Sequence, residues 1–445
     1  MNNINNMKKN KKESTKVYPN PGEMPQDLLN VPGFVSDLKN YTLRTAPYPN
    51  EVLAFSGALT MLAHLSGRNF RDSHNLRTNL YLLALADSGV GKDYPRKVNL
   101  NLASTLGIMP TMADRFASAE GLEDALLVHP VSFFQVDEVD TLFAALNERK
   151  KDAAQEKIYG ALLQFATSAD TTYALRKKAI GQNGNKATAF EMVRARGIRE
   201  PHLTLLGNAI PKYLYAALSE RSMENGLISR TLVLEAGPRG AAGTPHIEAF
   251  PPELLGQAYS LVKRGGFEGI NLMALTSPAQ LTFEDTREPA TVPDTPDAAT
   301  LRTQIVAQAE ANYTAADSTA ERTLWSRAAE KAARLALLYA ISENVNEPII
   351  SAAAVQWGWT LSDFATRKML YNASVYVHNN EFDAQRQKVI RILTEADAPM
   401  SHSELLRKMR IDSDAFRKVI NTMLESEELV AEEYTRTGSL QYSLG

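Results

Sequence analysis

A glycine-rich turn that ends in lysine has the clearest chemical meaning in this chain. The segment Tyr81 to Lys97, YLLALADSGVGKDYPRK, joins an apolar strand to the start of a helix. Gly89 and Gly91 let backbone N–H groups curl around a phosphate, Lys92 reaches the β- and γ-phosphates, and the helix dipole adds a positive end. The alternative is a glycine-rich turn without a ligand. The turn predicts a site for ATP with Mg²⁺ formed by Ser88, Gly89, Val90, Gly91, Lys92 and Asp93.

Two positions depart from the phosphate-loop pattern G-x-x-x-x-G-K-[ST]. Ala86 replaces the first glycine, and Asp93 stands where a hydroxyl ordinarily contacts the metal. An aspartate oxygen can ligate Mg²⁺ directly or through water. We therefore expect Asp93 to be a metal residue.

A second apolar run, VSFFQVDE from Val131 to Glu138, ends in adjacent carboxylates. In a phosphate-loop ATPase this arrangement predicts that Asp137 holds Mg²⁺ through water and that Glu138 polarises the attacking water. The alternative is a helix cap, a role that Asp140 can also fill for a helix from Thr141 to Arg149. Because a phosphate-loop motif lies upstream, we favour catalysis.

Two further candidate residues lie at the ends of apolar runs farther along the chain. HLTLLGN, from His202 to Asn208, predicts a strand whose final amide senses the γ-phosphate or orients water. GLISRTLVL, from Gly226 to Leu234, places Arg230 at the start of another strand. An arginine there can reach a phosphate across a subunit boundary as a finger. The alternative for Arg230 is a surface ion pair.

Composition sets the class of protein. The chain has 445 residues, 44% hydrophobic and 22% charged residues, and a net charge of −3, which predict a globular protein of two or three domains. It contains no cysteine, so disulfides and thiolate sites are excluded. No apolar run reaches the roughly 18 residues of a membrane span, and the start lacks the hydrophobic core of a signal peptide. We expect a cytoplasmic protein with no membrane partner.

Composition shifts predict five regions. A flexible basic tail (1–24) precedes a helical region (25–65) and an ATPase core (66–245). A helical collar (246–378) includes an acidic, proline-rich loop (284–298). One collar helix, from Ala320 to Glu343, carries three cations at helical spacing that are either solvated or a second sensor of the nucleotide. They are Arg327, Lys331 and Arg334.

The last region (379–445) has a pattern of its own. It reads as a helix from Asp383 to Glu395, a second helix opened by a Ser401 and Glu404 capping box, and a third helix capped by Ser413, followed by a hairpin. This order predicts a winged helix-turn-helix. The same fold also serves as a protein-docking module, and the surrounding glutamates make the neighbourhood acidic. The residues predicted to contact DNA are Arg417, Lys418 and Arg436.

A strongly basic segment, from Arg176 to Arg199, lies between the second and third core strands. In ring-shaped nucleic-acid motors, loops at this point face the pore and bind phosphates without regard to sequence. A solvated hairpin is the alternative. The predicted pore residues are Lys177, Lys178 and Lys186.

The chain resembles the helicase-like ATPase domain of phage, plasmid and mobile-element replication proteins over about residues 25–370. The resemblance rests on PQDLLNVPGFVSDL, on the phosphate-loop segment, on SAEGLEDALLVHPVSFFQVDE and on GLISRTLVL. It implies that Lys92 is the Walker A lysine and that Asp137 and Glu138 are the Walker B pair. It also implies that Asn208 is the sensor and Arg230 the finger.

These observations predict an α/β P-loop NTPase with a RecA-like or AAA+-like core, helical regions and a C-terminal winged helix. We expect an ATP-dependent DNA helicase or translocase that acts as a homo-hexamer in replication of a mobile element, with partners such as a primase. The alternative from another class is an ATP-switched loader, initiator or defence factor that binds DNA without unwinding it. A small-molecule kinase is disfavoured because no substrate lid is visible.

Overall fold

The structure, a computed structural model, describes residues 18–147, 153–176, 194–244, 246–269, 288–376, 381–396, 398–426, 428–434 and 439–444. The chain divides into two compact units. The larger unit is Gly22–Thr366. The smaller unit combines Met1–Pro21 with Arg367–Gly445. The predicted pore residues Lys177, Lys178 and Lys186, and Arg436 of the hairpin tip, lie outside the described residues.

The larger unit contains a five-stranded parallel sheet in the order β3-β4-β7-β2-β8. Every residue of β2, β4 and β7 is buried, as expected for a parallel sheet covered on both faces. This confirms the mixed α/β class. The strands of this unit are β1 Phe70–Arg71, β2 Tyr81–Leu85, β3 Met112–Ala113, β4 Val131–Val136, β5 Thr172–Tyr173, β6 Ile198–Arg199, β7 His202–Ala209, β8 Thr231–Glu235 and β9 Ala290–Thr291.

Helices surround this sheet, and short 3₁₀ turns occur at Gln26–Leu29 and Met109–Thr111. None of the helices in the described ranges combines the length and the apolar composition of a membrane span. The helices are α1 Phe34–Thr45, α2 Glu51–Ser66, α3 Asp93–Thr105, α4 Ala119–Val128, α5 Asp140–Asn147, α6 Ala153–Thr167, α7 Pro211–Ala217, α8 Glu220–Glu224, α9 Leu227–Arg230, α10 Pro252–Val262, α11 Pro296–Ala315, α12 Thr319–Trp325, α13 Ala328–Glu343 and α14 Ala352–Tyr376. The part of α14 from Arg367 onward belongs to the smaller unit.

The core of the larger unit forms around α2 and β7. Every residue from Val52 to Ser66 is buried, and a helix that is apolar on all sides is a core helix. Gly207 of β7 is required by close packing, because a Cβ there would lie 2.5 Å from Cδ2 of Leu83 and 2.9 Å from Cγ1 of Val139. The central strands can therefore approach the residues that follow β4.

The parallel arrangement gives the sheet two edges with different contents. The strand ends at Leu85, Val136, Ala209 and Glu235 define the carboxyl edge, where the glycine-rich turn and the Asp137 loop lie. The residues that precede β2, β4, β7 and β8 define the amino edge. In open parallel sheets, ligands bind at the carboxyl edge, so the topology brings the predicted chemistry to the expected place.

The smaller unit has helices α15 Glu381–Thr394, α16 His402–Met409 and α17 Ser413–Glu425. Its antiparallel sheet has the order β10-β12-β11, with strands β10 Met400–Ser401, β11 Leu429–Tyr434 and β12 Ser439–Leu444. A separate apolar core holds it together, including the fully buried Leu405, Phe416 and Val419. The predicted hairpin and the Ser401 capping box are confirmed.

Several predicted boundaries were wrong for identifiable reasons. The helix expected from Ala320 to Glu343 is two helices, since Ser326 and Arg327 separate α12 from α13. The predicted loop 284–298 contains β9 and the start of α11, whose N-cap is Thr295. Asp412, not Ser413, caps α17, because its side chain accepts hydrogen bonds from the N–H groups of Asp414 and Ala415.

Candidate functional site

The glycine-rich turn lies at the end of β2 and leads directly into α3. Gly89 and Gly91 have φ values of +80° and +100°, which residues with a side chain rarely adopt. Among the hydrogen bonds of the described residues, none is donated by the backbone N–H groups of Gly89, Gly91 or Lys92. Unpaired N–H groups at a helix start bind anions. The turn therefore has the donors that a phosphate needs.

The carboxylate loop follows β4 at the same edge of the sheet. Asp137 Oδ1 accepts a hydrogen bond of 3.0 Å from the Glu138 N–H. Glu138 is exposed and has a φ of +51°, an uncommon value for a residue with a side chain. Thr141 fixes this conformation by donating its N–H and its hydroxyl to the Glu138 carbonyl, at 3.1 Å and 2.9 Å. The loop thus holds Glu138 in a strained turn.

Asn208 connects the two loops. It lies in β7, between β2 and β4, and is buried. Its side-chain Nδ2 donates to the Lys92 carbonyl at 3.2 Å, and its carbonyl accepts from the Val139 N–H at 3.0 Å. The residue predicted as a sensor is therefore adjacent to both the glycine-rich turn and the carboxylate loop.

The pKa of Asp140 is influenced by charged groups of both the glycine-rich turn and the carboxylate loop. Burial raises the pKa of the Asp140 carboxyl, and the Glu138 and Asp137 carboxylates raise it further. The Lys92 ammonium acts in the opposite direction and lowers that pKa. Lys92 and the three carboxyl groups of Asp137, Glu138 and Asp140 are therefore close enough to interact electrostatically. Asp140 is the first residue of α5, so the helix begins one residue earlier than the helix-cap interpretation expected.

Arg96 was missed by sequence reasoning. Its Nη1 lies 3.8 Å from Asp93 Oδ1 and 3.8 Å from Asp137 Oδ2, so one guanidinium lies between the two predicted metal residues. The sequence contained one indication of this contact. Arg96 follows Asp93 by three residues on α3, and side chains at that spacing on a helix are neighbours. Within the described ranges, no group of three or more histidine or acidic side chains is arranged to hold a metal ion. Asp93 and Asp137 nevertheless share the Arg96 guanidinium as a neighbour.

Tyr48 and Arg239 also border the turn, and no local pattern predicts them. The Arg239 guanidinium carbon lies 3.7 Å above the centre of the Tyr48 ring, a cation–π contact. A Cβ on Gly89 would lie 3.6 Å from Arg239 Nη1, and one on Gly91 would lie 2.8 Å from the Tyr48 carbonyl oxygen. The Pro47 carbonyl accepts a 2.9 Å hydrogen bond from the Gly243 N–H, which joins these two loops beside the turn.

Arg230 lies at the amino edge, whereas the turn is at the carboxyl edge. It is the last residue of α9, and its Nη1 donates to the Gly226 carbonyl at 2.9 Å. Burial lowers its pKa, and the positive charge of Arg327 lowers it further. Arg334, one of the three residues predicted as a second sensor, also lies at the amino edge, bound to Asn79 and Glu330. Within one chain, the length of β2 therefore separates Arg230 from the glycine-rich turn.

In the smaller unit, Arg417 and Lys418 lie on the exposed side of α17, whereas Phe416 and Val419 are buried. The predicted DNA residues of this helix are therefore accessible.

The comparisons with known proteins do not identify a family for this chain. A scan against protein-family models gives no match, and a search of curated proteins gives none either.

The positive φ of Glu138 leads to a prediction about stability. We expect Glu138→Gly to be more stable than Glu138→Ala by about 1 kcal/mol, because glycine adopts this conformation without steric cost. Both variants lack the carboxylate, so their difference reports the backbone alone. Urea unfolding measures it. Equal midpoints for the two variants would show that the turn is not held at positive φ.

Proposed function

We propose that the chain binds ATP at the glycine-rich turn and hydrolyses it. One observation supports this proposal most directly. Unpaired N–H donors, Lys92 and the carboxylate loop all lie at the same edge of a parallel sheet. Phosphoryl transfer needs positioning and charge stabilisation more than covalent chemistry. These groups supply both.

The residues fit distinct roles. The N–H groups of Gly89, Gly91 and Lys92 would hold the phosphates, and the Lys92 ammonium would neutralise charge on the γ-phosphate. Mg²⁺, when bound, would supply further charge neutralisation, and Asp93 and Asp137 would hold it in place of the Arg96 contact. Glu138 is exposed at this edge and would accept a proton from, or orient, the attacking water.

Measuring ATP turnover with and without Mg²⁺ tests this proposal. We expect hydrolysis that depends on Mg²⁺ and is removed by chelation. A protein that binds no nucleotide and shows no hydrolysis in any condition, single-stranded DNA included, would refute it.

We further propose that hydrolysis drives movement on DNA during replication of a mobile element, in a homo-hexamer. Support comes from the basic segment between Arg176 and Arg199 and from the accessible Arg417 and Lys418. The helix and hairpin order of the smaller unit supports the winged-helix interpretation. An ATP-switched loader that binds without unwinding is the second candidate, favoured by the acidic side chains at the end of α17 and just after it, such as Glu425 and Glu428.

Two sets of substitutions separate these candidates. Changing Lys177, Lys178 and Lys186 to Ala should weaken single-strand binding, lower its salt dependence and remove DNA-stimulated hydrolysis, because fewer counterions are released. Basal hydrolysis should remain. The matched control changes three exposed lysines elsewhere, Lys97, Lys212 and Lys263, to Ala.

A second set changes Arg417, Lys418 and Arg436 to Ala. It should impair duplex binding and leave strand-stimulated hydrolysis nearly intact, because these residues belong to the smaller unit. A fork-unwinding assay completes the comparison. Wild-type protein that binds DNA but neither unwinds it nor shows stimulated hydrolysis would favour the loader.

The position of Arg230 makes its role as a finger directly testable. If it acts on the nucleotide of a neighbouring copy, Arg230→Ala should bind ATP without hydrolysing it. Mixing it with Lys92→Ala should restore activity at interfaces that combine an intact turn with an intact finger.

The melting temperature provides the control, because loss of an internal contact would lower it. A destabilised Arg230→Ala variant with no recovery on mixing would assign Arg230 to the internal network at the amino edge.

A further inference from the structure

A cavity lies at the amino edge of the sheet, away from the glycine-rich turn. Its volume is about 480 Å³, and it is bounded by the loop before β2, the end of α6, α11 and the first turns of α13. Small-molecule sites have volumes of roughly 300–1,000 Å³. Strand β2 spans five residues, so about 16 Å of extended chain separates this cavity from the turn. The cavity is thus a separate candidate site.

One wall of the cavity is apolar. Ile305 and Val306 of α11, Ala333 of α13 and Val355 of α14 line it. Val306 is 58% exposed although it is a large aliphatic side chain. An apolar wall that is open to solvent favours a ligand with an apolar body.

Two arginines that line the cavity, Arg77 and Arg302, have donor atoms without acceptors among the described residues. Arg77 is only 3% exposed and binds Glu200 at 2.8 Å through Nη2. Its Nε and Nη1 atoms are buried and, among the described residues, make no hydrogen bond. Arg302 binds Asp72 at 2.8 Å through Nη1 and Asp294 at 2.7 Å through Nε, and its Nη2 makes no hydrogen bond within the described ranges. Buried donors without acceptors are costly, so a ligand with acceptor oxygens would be stabilised here.

At the corner near α13, two carboxylates, Asp170 and Glu330, line the cavity beside a larger number of arginines. Glu330 accepts from Arg327 at 2.8 Å and from Arg334 at 3.0 Å, so two guanidiniums share one carboxylate. Arg230 lies close enough for its charge to lower the pKa of Glu330. Three arginines therefore surround this carboxylate, and a negatively charged group would be attracted to the corner.

We propose that this cavity binds an organic anion, with a carboxylate or phosphate group directed to the arginines and an apolar body against Ile305 and Val306. The site is independent of ATP bound at the turn. It explains why unpaired guanidinium donors and exposed aliphatic side chains occur together at the edge of the sheet opposite the glycine-rich turn.

The test uses anilinonaphthalene sulfonate, a fluorescent anion with an apolar ring system, and the uncharged N-phenylnaphthylamine as its partner probe. We expect the anionic probe to saturate one site per chain and the neutral probe to bind about tenfold more weakly, because it lacks the charge-assisted hydrogen bonds. Arg327→Gln should weaken the anion by about tenfold and leave the neutral probe unchanged. Val306→Trp, which fills the mouth, should weaken both probes.

The control is Arg322→Gln, which removes an exposed arginine of α12 outside the cavity and should change nothing. Thermal melts followed by circular dichroism check that each variant is folded. If Val306→Trp does not fold, the probe affinities of Arg327→Gln alone test the proposed anion site. Saturating ATP with Mg²⁺, and the Lys92→Ala substitution, should leave probe binding intact. Displacement by ATP, equal affinity for both probes, or binding that Arg327→Gln leaves unchanged would overturn the proposal, whether or not the turn hydrolyses ATP.

Discussion

Lys92→Ala should abolish ATP turnover, and we expect this to be one of the two largest effects of any single substitution. The lysine follows the glycine-rich turn, and its charge reaches the carboxylates of the opposite loop, as the pKa of Asp140 shows. Without it, negative charge on the transferred phosphoryl group loses its main protein counter-charge. Steady-state phosphate release measures the loss. Lys97→Ala, which removes an exposed lysine of the helix that follows Lys92, is the matched control and should retain full activity.

Glu138→Gln completes this first prediction. The glutamine is nearly isosteric, so the variant should bind ATP normally but hydrolyse it on the order of a hundredfold more slowly, because it cannot accept a proton from water. Equilibrium binding and single-turnover hydrolysis separate the two steps. Turnover close to that of the wild type would remove Glu138 from the proposed chemistry, and Asp140 would be the next carboxyl group to test.

The second large effect is expected from Gly91→Ala, which should weaken ATP binding on the order of a hundredfold. A Cβ at this position would lie 2.8 Å from the Tyr48 carbonyl oxygen, and the φ of +100° is unfavourable for alanine. Relief requires the turn to move away from the loop that carries Tyr48. The N–H groups would then no longer converge on one phosphate.

Gly107→Ala separates the loss of geometry from general backbone strain. Gly107 also has a positive φ, of +74°, but a Cβ there would contact nothing within 4 Å. It should cost some stability and leave binding unchanged. Titration with a fluorescent ATP analogue, together with thermal unfolding, provides the comparison. Equal binding by the two variants would mean that the turn does not hold the nucleotide.

The elements that bring these groups together were largely predictable from sequence, because they depend on local patterns. Apolar runs identified β2, β4 and β7, and parallel strands place their following residues at one edge, so Lys92, Asp137 and Asn208 were expected to be neighbours. The capping box at Ser401 and Glu404 is equally local. Such signals need no knowledge of the tertiary fold.

Contacts between distant segments were not predictable in this way. Arg239 stacks on Tyr48, although 190 other residues separate them in the chain, and only the packed fold joins them. The edge at which Arg230 lies follows from the pairing of Thr231 with Tyr81, which no sequence pattern specifies. The unpaired donors of Arg77 likewise arise only after burial.

The two hydrogen bonds of Asn208 mean that the glycine-rich turn and the carboxylate loop are attached to a single strand. A local opening of β7 would release both loops together, so they should behave as one cooperative unit in hydrogen exchange. A ligand held by the turn would then slow exchange of the Val139 amide, although Val139 lies on the far side of β7. A ligand bound to the glycine-rich turn would therefore reduce the motion of the carboxylate loop through the hydrogen bonds of Asn208.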